Sequence, residues 1–541
     1  MPRSHEVVNQ PPPLVDYNVY RRDSALREWV AQGDAAWAED DLAEYGALAG
    51  SEEVIRLGFE ANEFRPVFES HDPQGRRVNR VRYHPAYHRL MAMAVERGIH
   101  SLPWTENRPG AHVVRGAMEY LQHQVESGHG CPTTMTFASV PTLRVQPDIA
   151  GAWEPGVTAR VYDPRDVPMA DKDGLTLGMA MTEKQGGSDV RANSTAAEPV
   201  GNGGPGEEYR VTGHKFFVSA PMSDGFVILA QTPTGLSCFL LPRWRADGTR
   251  NAFELQRLKN KMGNVSNASA EMELFDASAW LIGEPGRGVA NIIRMVALTR
   301  FDCMVGSAGL MRQAAVQALH HCRHRSAFGR LLVEQPVMQG VLLDLVVESE
   351  AALALTMRAA RALDADEQAA VRILTPIGKY WICKRTPTVA AEAMECIGGS
   401  GFMEDRVLAR LYREAPVNAI WEGSGNVQCL DVLRAFAREP GTVETVLAEL
   451  RAGASLDAGL ERELQAIEPV LTKPDRGIEA AARGWVERLA IALQASTLLR
   501  FANPLTAEAF CRLRLPGPHR SLLPGGGGCD PRFAPLLERA F

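Results

Sequence analysis

Apolar positions along the chain change their period twice, and the changes mark out its elements. From Asp23 to about Val145 they recur at the three-to-four spacing of amphipathic helices. Ser24-Ala25-Leu26-Arg27-Glu28-Trp29-Val30 opens directly behind Asp23, a side chain suited to cap it. Between residues 176 and 282 the runs shorten. Gly213–Ser219 (GHKFFVS), Phe226–Ala230 (FVILA) and Leu236–Leu241 (LSCFLL) read as strands broken by Gly, Pro and Asp. Long helical periodicity returns from Val289 to about Arg438, most clearly over Val341–Leu363. Beyond Pro440-Gly441, residues 442–512 are Ala/Leu-rich and predict further helices. Pro516–Pro531, with four consecutive glycines, predicts a loop or mobile tail. The proline run Gln10-Pro11-Pro12-Pro13 predicts an extended arm suited to an intersubunit contact. The pattern is α+β and mainly α. It predicts an arm over 1–22, a helical domain over 23–175, a small β domain over 176–284, a helical bundle over 285–440 and an extra helical segment over 441–541.

Composition narrows the class. A chain of 541 residues is too long for one core. No apolar run of about 18 residues predicts a membrane span. The N-terminus lacks the apolar stretch of a secretory signal. Nine scattered cysteines without a Cys-x-x-Cys pair read as reduced thiols, so a cytoplasmic location is expected. A net charge of −7 excludes a wholly basic nucleic-acid binder but not a local basic face. His320-His321-Cys322-Arg323-His324 has no carboxylate partner and unsuitable spacing, so no metal site is expected.

Four segments carry candidate chemistry. In Thr182-Glu183-Lys184-Gln185-Gly186-Gly187-Ser188-Asp189 the paired glycines let backbone N–H groups converge on an anion, beside the Ser188 hydroxyl. Phe217 and Ser219 fall on one face of a strand, where a ring and a hydroxyl can meet a flat heteroaromatic. Arg325 and Phe328, read as lying on a helix end, share a side three residues apart, with Gln335 following. In Trp421-Glu422-Gly423-Ser424-Gly425-Asn426 a carboxylate stands among an aromatic and small residues. An apolar setting raises a carboxylate pKa and suits a general base.

Together with Glu395–Glu414, which contains Gly398, Gly399, Gly401, Phe402, Asp405 and Arg410, these segments resemble the signatures of the acyl-CoA dehydrogenase family. The resemblance implies an N-terminal helical domain, a middle β-barrel, a C-terminal four-helix bundle and FAD as cofactor. It places Met181, Thr182, Gly187, Ser188, Phe217 and Ser219 at the flavin and its pyrophosphate. It gives the adenosine half to Arg325, Phe328 and Gln335 across a homotetramer interface, with Gly398 and Gly399 from a neighbour. Trp421, Gly423, Ser424 and Asn426 complete the cofactor site, and Glu422 becomes the base that takes the α-proton of an acyl-CoA. Relatives that carry the base on a helix place it where Thr299 stands here. Lys184-Gln185 replace the family's Glu-Pro and are expected to bring positive charge to the pocket mouth, while Val265 replaces an arginine. The extra C-terminal segment resembles a branch of the family that acts in the bacterial adaptive response to DNA alkylation. That branch implies a double-stranded DNA partner and weak residual dehydrogenase activity. Arg434 and Arg438, with Arg512 and Arg514 in the tail, are the candidate DNA contacts. The alternative is a metabolic dehydrogenase for short or branched acyl chains, resembling isovaleryl-CoA dehydrogenase.

Overall fold

The computed structural model describes residues 6–473, 477–515 and 531–540. Packing groups the chain into two compact units. One gathers Met1–Glu52, Pro109–Val125 and Arg300–Phe541; the other gathers Glu53–Arg108 and Glu126–Thr299. Both are discontinuous in sequence. The interval 23–175 contributes to both, and the helices beyond residue 440 belong with the bundle.

The second unit is built on a barrel. Its strands are β3 (Leu177–Ala180), β4 (Ala196–Pro199), β5 (Glu208–Ser219), β6 (Gly225–Thr232), β7 (Gly235–Pro242), β8 (Phe253–Leu258) and β9 (Ser269–Ile282). The path β6-β4-β5-β9-β7 closes on itself because β7 also pairs β6, with β3 beside β6 and β8 beside β9. Gly225–Ala230 of β6 are buried on both faces, so that strand reads as a continuous apolar run rather than an alternation. Phe226, Phe239, Val211 and Leu274 fill the interior. A hairpin of β1 (Val67–His71) and β2 (Arg77–Arg82) interrupts the interval predicted to be helical. Asn79 fixes it to the barrel edge, donating to the Phe253 carbonyl at 3.0 Å and accepting from the Leu255 N–H at 3.2 Å.

The first unit is helical. Helices Pro336–Asp364 and Gln368–Ile397 are buried around much of their circumference, as bundle centres must be. Helix Gly288–His324 approaches helix Ala111–Val125 through two glycines. A Cβ at Gly309 would sit 2.6 Å from the Tyr120 carbonyl oxygen, and one at Gly306 2.9 Å from the His123 ring. Arg115 is fully buried in that contact and pairs with Asp302.

Helices Gly441–Ala454, Ala458–Thr472, Ala482–Phe501 and Pro504–Arg514 match the prediction for 442–512. They join the bundle through buried ion pairs. Arg514, 1% exposed, donates to Glu348 at 2.9 Å and to Asp344, and Arg385 meets Glu348 at 3.1 Å. Arg358 and Arg500 share Glu449. The extended arm lies along its own chain, where His320 Nε2 is 2.8 Å from the Pro12 carbonyl oxygen. Of the predicted tail Pro516–Pro531, residues 516–530 lie outside the described residues, and Pro531 opens a 3-10 turn, Pro531–Phe533.

Candidate functional site

The Gly-rich turn follows β3 directly. Met181 and Thr182 are half-buried, and residues 184–189 are exposed. Glu183 points inward and is 1% exposed. It accepts from Lys215 Nζ at 2.8 Å, from the N–H of Ser194 at 2.7 Å and from that of Thr195 at 3.2 Å. Burial alone would raise its pKa; the Lys215 ammonium and these donors hold it at about 2. Burial pulls the Lys215 ammonium below its usual value despite Glu183. The pair fixes the base of the turn and leaves its tip free. At that tip a Cβ on Gly187 would sit 2.5 Å from Thr182 Oγ1, and Gly186 adopts φ +151°. The Gly186-Gly187 tip therefore presents backbone, which suits a pyrophosphate.

β5 supplies the ring face. A register shift between Lys215 and Val218 turns Phe217 outward, 47% exposed. Ser219 shares that side, with buried Val218 facing the core, and its Oγ lies 3.2 Å from Ser269 Oγ. Lys184 is exposed, but its ammonium pairs with Glu273 at 3.0 Å, so the charge it brings is compensated.

Two corrections concern the arginines. Arg325 and Phe328 are not on a helix. The helix ends at His324, and Ser326–Ala327 pairs with Arg330–Leu331 in a hairpin whose turn residues, Phe328 and Gly329, both have positive φ. Phe328 is fully exposed at its tip. Gln335 holds the hairpin by donating to the Ala327 carbonyl at 3.1 Å, and Arg325 donates to the Asn9 carbonyl at 2.6 Å. Arg514, expected on a DNA-facing surface, is buried against Glu348 and Asp344, because a guanidinium in a helical interior needs carboxylates to offset desolvation. Arg512 is exposed but sits with Arg532 around Glu508. Arg434 is exposed, with Asp431 3.6 Å away, and Arg438 is exposed.

Glu422 lies in the loop between Val417–Ala419 and helix Gly425–Arg438, at φ +56°, a conformation unfavourable for a side-chain-bearing residue. The loop is clamped at its carbonyls. Lys379, 1% exposed, donates from Nζ to the carbonyls of Asn418 at 3.0 Å, Trp421 at 2.9 Å and Gly423 at 2.8 Å. The Glu422 carbonyl accepts from Arg300 Nε at 2.9 Å and Gln428 Nε2 at 3.1 Å. Arg300 is held in turn by Asp431 at 2.8 Å. Trp421 Nε1 donates to Asn418 Oδ1 at 2.9 Å. Ser424 stands at the N-cap of the following helix, and Asn426 is exposed in its first turn. Lys379, Arg300 and Gln428 carry no motif of their own. Only the fold shows that they act on one loop. Gly398 ends helix Gln368–Ile397 at φ +73°, and a Cβ at Gly398 or Gly399 would meet nothing within 4 Å.

A closed β-barrel in one unit and a helical bundle in the other are the architecture of an acyl-CoA dehydrogenase fold. The chain belongs to the acyl-CoA dehydrogenase family, whose cofactor is FAD, and the donor set of the turn and strand fits that group. Residues 178–277 match the acyl-CoA dehydrogenase middle domain and 286–437 its C-terminal domain. Residues 9–164 match the N-terminal domain of adaptive response protein AidB. The chain is 43% identical to AidB of Escherichia coli (strain K12) over 519 residues, 95% of each chain. It is 31% identical to acyl-CoA dehydrogenase family member 11 of Caenorhabditis elegans over 481 residues, 83% of this chain and 75% of that one. The crystal structure of C. elegans ACDH-11 in complex with C11-CoA superposes with a TM-score of 0.84 at 28% identity, covering 94% of this chain and 92% of that one. Among the described residues no helix is long and apolar enough to cross a membrane.

Proposed function

We propose that this chain is an AidB-like FAD flavoprotein that binds double-stranded DNA, protects it from alkylating agents and retains weak acyl-CoA dehydrogenase activity. The supporting observation is its 43% identity with AidB across 95% of both chains, including the segment after residue 440. Thr182, Gly187 and Ser188 would hold the cofactor's pyrophosphate side, with Met181, Phe217 and Ser219 against its ring system. Arg325, Phe328, Gln335, Gly398 and Gly399 would serve the adenosine half in a homotetramer. Fully exposed Phe328 and 78%-exposed Phe402 are the kind of apolar surface that a second copy covers. Trp421, Gly423, Ser424 and Asn426 would complete that site. Glu422 is the proposed base. Its clamped loop would hold the carboxylate at the α-carbon of an acyl thioester and accept that proton. FAD, when bound, supplies the acceptor for the β-hydride.

DNA contact is assigned to exposed Arg434 and Arg438, with Arg512 a weaker contributor because Glu508 offsets its charge. Affinity for a duplex should fall steeply with salt, since each neutralised phosphate releases counterions. Arg434→Ala should weaken binding and flatten that slope. Binding that ignores both salt and the substitution refutes the assignment.

A second reading, a metabolic dehydrogenase for short or branched acyl-CoA, is favoured by the intact clamp on Glu422. Anaerobic addition of acyl-CoA separates the two. Rapid, complete bleaching of the flavin without salt-sensitive DNA binding would select the metabolic reading.

A further inference from the structure

The second unit contains a cavity of about 530 Å³ at the end of β3 away from the Gly-rich turn. Thr176, just before β3, lines it, whereas Thr182–Ser188 follow that strand's other end. Its floor is aromatic. Tyr83 stacks on Tyr87 with centroids 4.3 Å apart, and His88 Nδ1 lies 2.8 Å from Tyr162 Oη. Met91 and Met222 also line the cavity. Burial lowers the His88 pKa and drives those of all three tyrosines up, so the floor is uncharged at neutral pH.

The rim is cationic. Arg80, Arg82 and Arg165 line the opening with side chains 51%, 61% and 52% exposed. Arg80 and Arg82 share the single carboxylate of Glu69, at 3.9 and 2.5 Å, which leaves surplus positive charge on that side. Arg165 is neutralised by Asp163 and Lys172 by Asp224. Asp166 is shared between Arg243 and Arg250.

One lining atom is orphaned. Ser223 is 2% exposed, and its Oγ has no hydrogen-bond partner among the described residues. A buried hydroxyl without a partner costs about 1–3 kcal/mol, so such groups are rare unless something else satisfies them. An alkyl chain in the cavity could not do so. A heteroaromatic ring with hydrogen-bonding edge atoms could, while stacking on the tyrosines and leaving an anionic group at the rim.

We propose that this cavity binds a small heteroaromatic anion of the nucleoside monophosphate class. The ring lies over Tyr83 and Tyr162, its edge bonds to Ser223 Oγ, and its phosphate meets Arg80 and Arg82. The test is calorimetric titration of full-length protein saturated with FAD, using 5′-AMP, adenosine, inorganic phosphate and octanoate as probes. 5′-AMP should bind with Kd below about 1 mM, and the other three at least about tenfold more weakly. Arg82→Ala, on an exposed side chain, and Ser223→Ala should each weaken 5′-AMP about fivefold or more without altering flavin content or spectrum. Saturating coenzyme A should leave 5′-AMP binding unchanged. The proposal fails if 5′-AMP does not bind, if octanoate binds better, if neither substitution changes the affinity, or if coenzyme A displaces the nucleotide.

Discussion

Replacing Lys379 with Met tests whether the Glu422 loop is held from behind. The side chain is buried, and its ammonium serves three carbonyls at 2.8–3.0 Å. Gly423 keeps a second donor, Gln428 Nε2 at 2.9 Å, so the loss falls mainly on the carbonyls of Asn418 and Trp421. Leaving the buried Asn418 carbonyl and the part-buried Trp421 carbonyl without this donor costs up to about 6 kcal/mol, at about 1–3 kcal/mol for each fully buried group. The loop already holds Glu422 at φ +56°, a conformation that gains nothing from its own residue. The cost should therefore appear as local opening. Hydrogen exchange of the 418–424 amides should accelerate by about two orders of magnitude for each ~3 kcal/mol lost. Exchange within β6 of the barrel serves as the internal control and should not move. Flavin content should be retained while the rate of flavin reduction by acyl-CoA falls more than the apparent affinity, because a misplaced base affects the chemical step. Unchanged exchange over 418–424, or a reduction rate within about twofold of the parent, would refute the clamp.

Other outcomes follow from the same structure. Glu422→Gln should abolish anaerobic flavin bleaching by acyl-CoA but leave duplex affinity unchanged; loss of both would show that the two activities share one site. Asp364 accepts from the N–H groups of His112 and Val113, yet burial lifts its pKa to about 6. The native state therefore binds the extra proton between about pH 4 and 6, and stability falls as pH rises through that window, by up to about 3 kcal/mol. Asp364→Asn should remove that slope in denaturation curves at pH 4.5 and 7.0, and a slope that persists assigns it elsewhere. Glu183, held at about 2 although burial opposes it, contributes stability above its unfolded pKa that is lost only as pH falls toward 2. Glu183→Gln should therefore weaken the barrel at neutral pH and lower flavin retention, both measurable by thermal release of flavin fluorescence. Retention equal to the parent's would show that the turn does not depend on the pair.

Much of this was legible in the residues. The apolar run of β6 and the Gly-Gly turn carry their signals locally, and so does the helical stretch Val341–Leu363. β9 is absent from the predicted strands, although Ala270, Met272 and Leu274 alternate with Glu271 and Glu273; its interruption by Asp276, at positive φ, hides its length. The β1–β2 hairpin is masked by flanking helices. Arg325–Phe328 was misread because a hairpin turn with a phenylalanine at φ +53° has no common sequence signature. The clamp was out of reach. Lys379 and Arg300 lie 43 and 122 residues before Glu422, and a lysine or arginine on an apolar helix announces charge but not the carbonyls it will serve.

The ion pairs that bind Arg514 to Glu348 and Asp344 bear on the chain's history as well as its stability. Those two acids, together with Arg385, belong to central helices of the bundle, and Glu348 answers two guanidiniums from different helices. A chain ending near residue 440 would keep the acids and lose one of their partners. The terminal helices are thus not a detachable accessory: lineages that lack them should have a neutral or apolar residue at 344 while keeping an acid at 348 for Arg385, and lineages that keep them should have changed the core and the tail together.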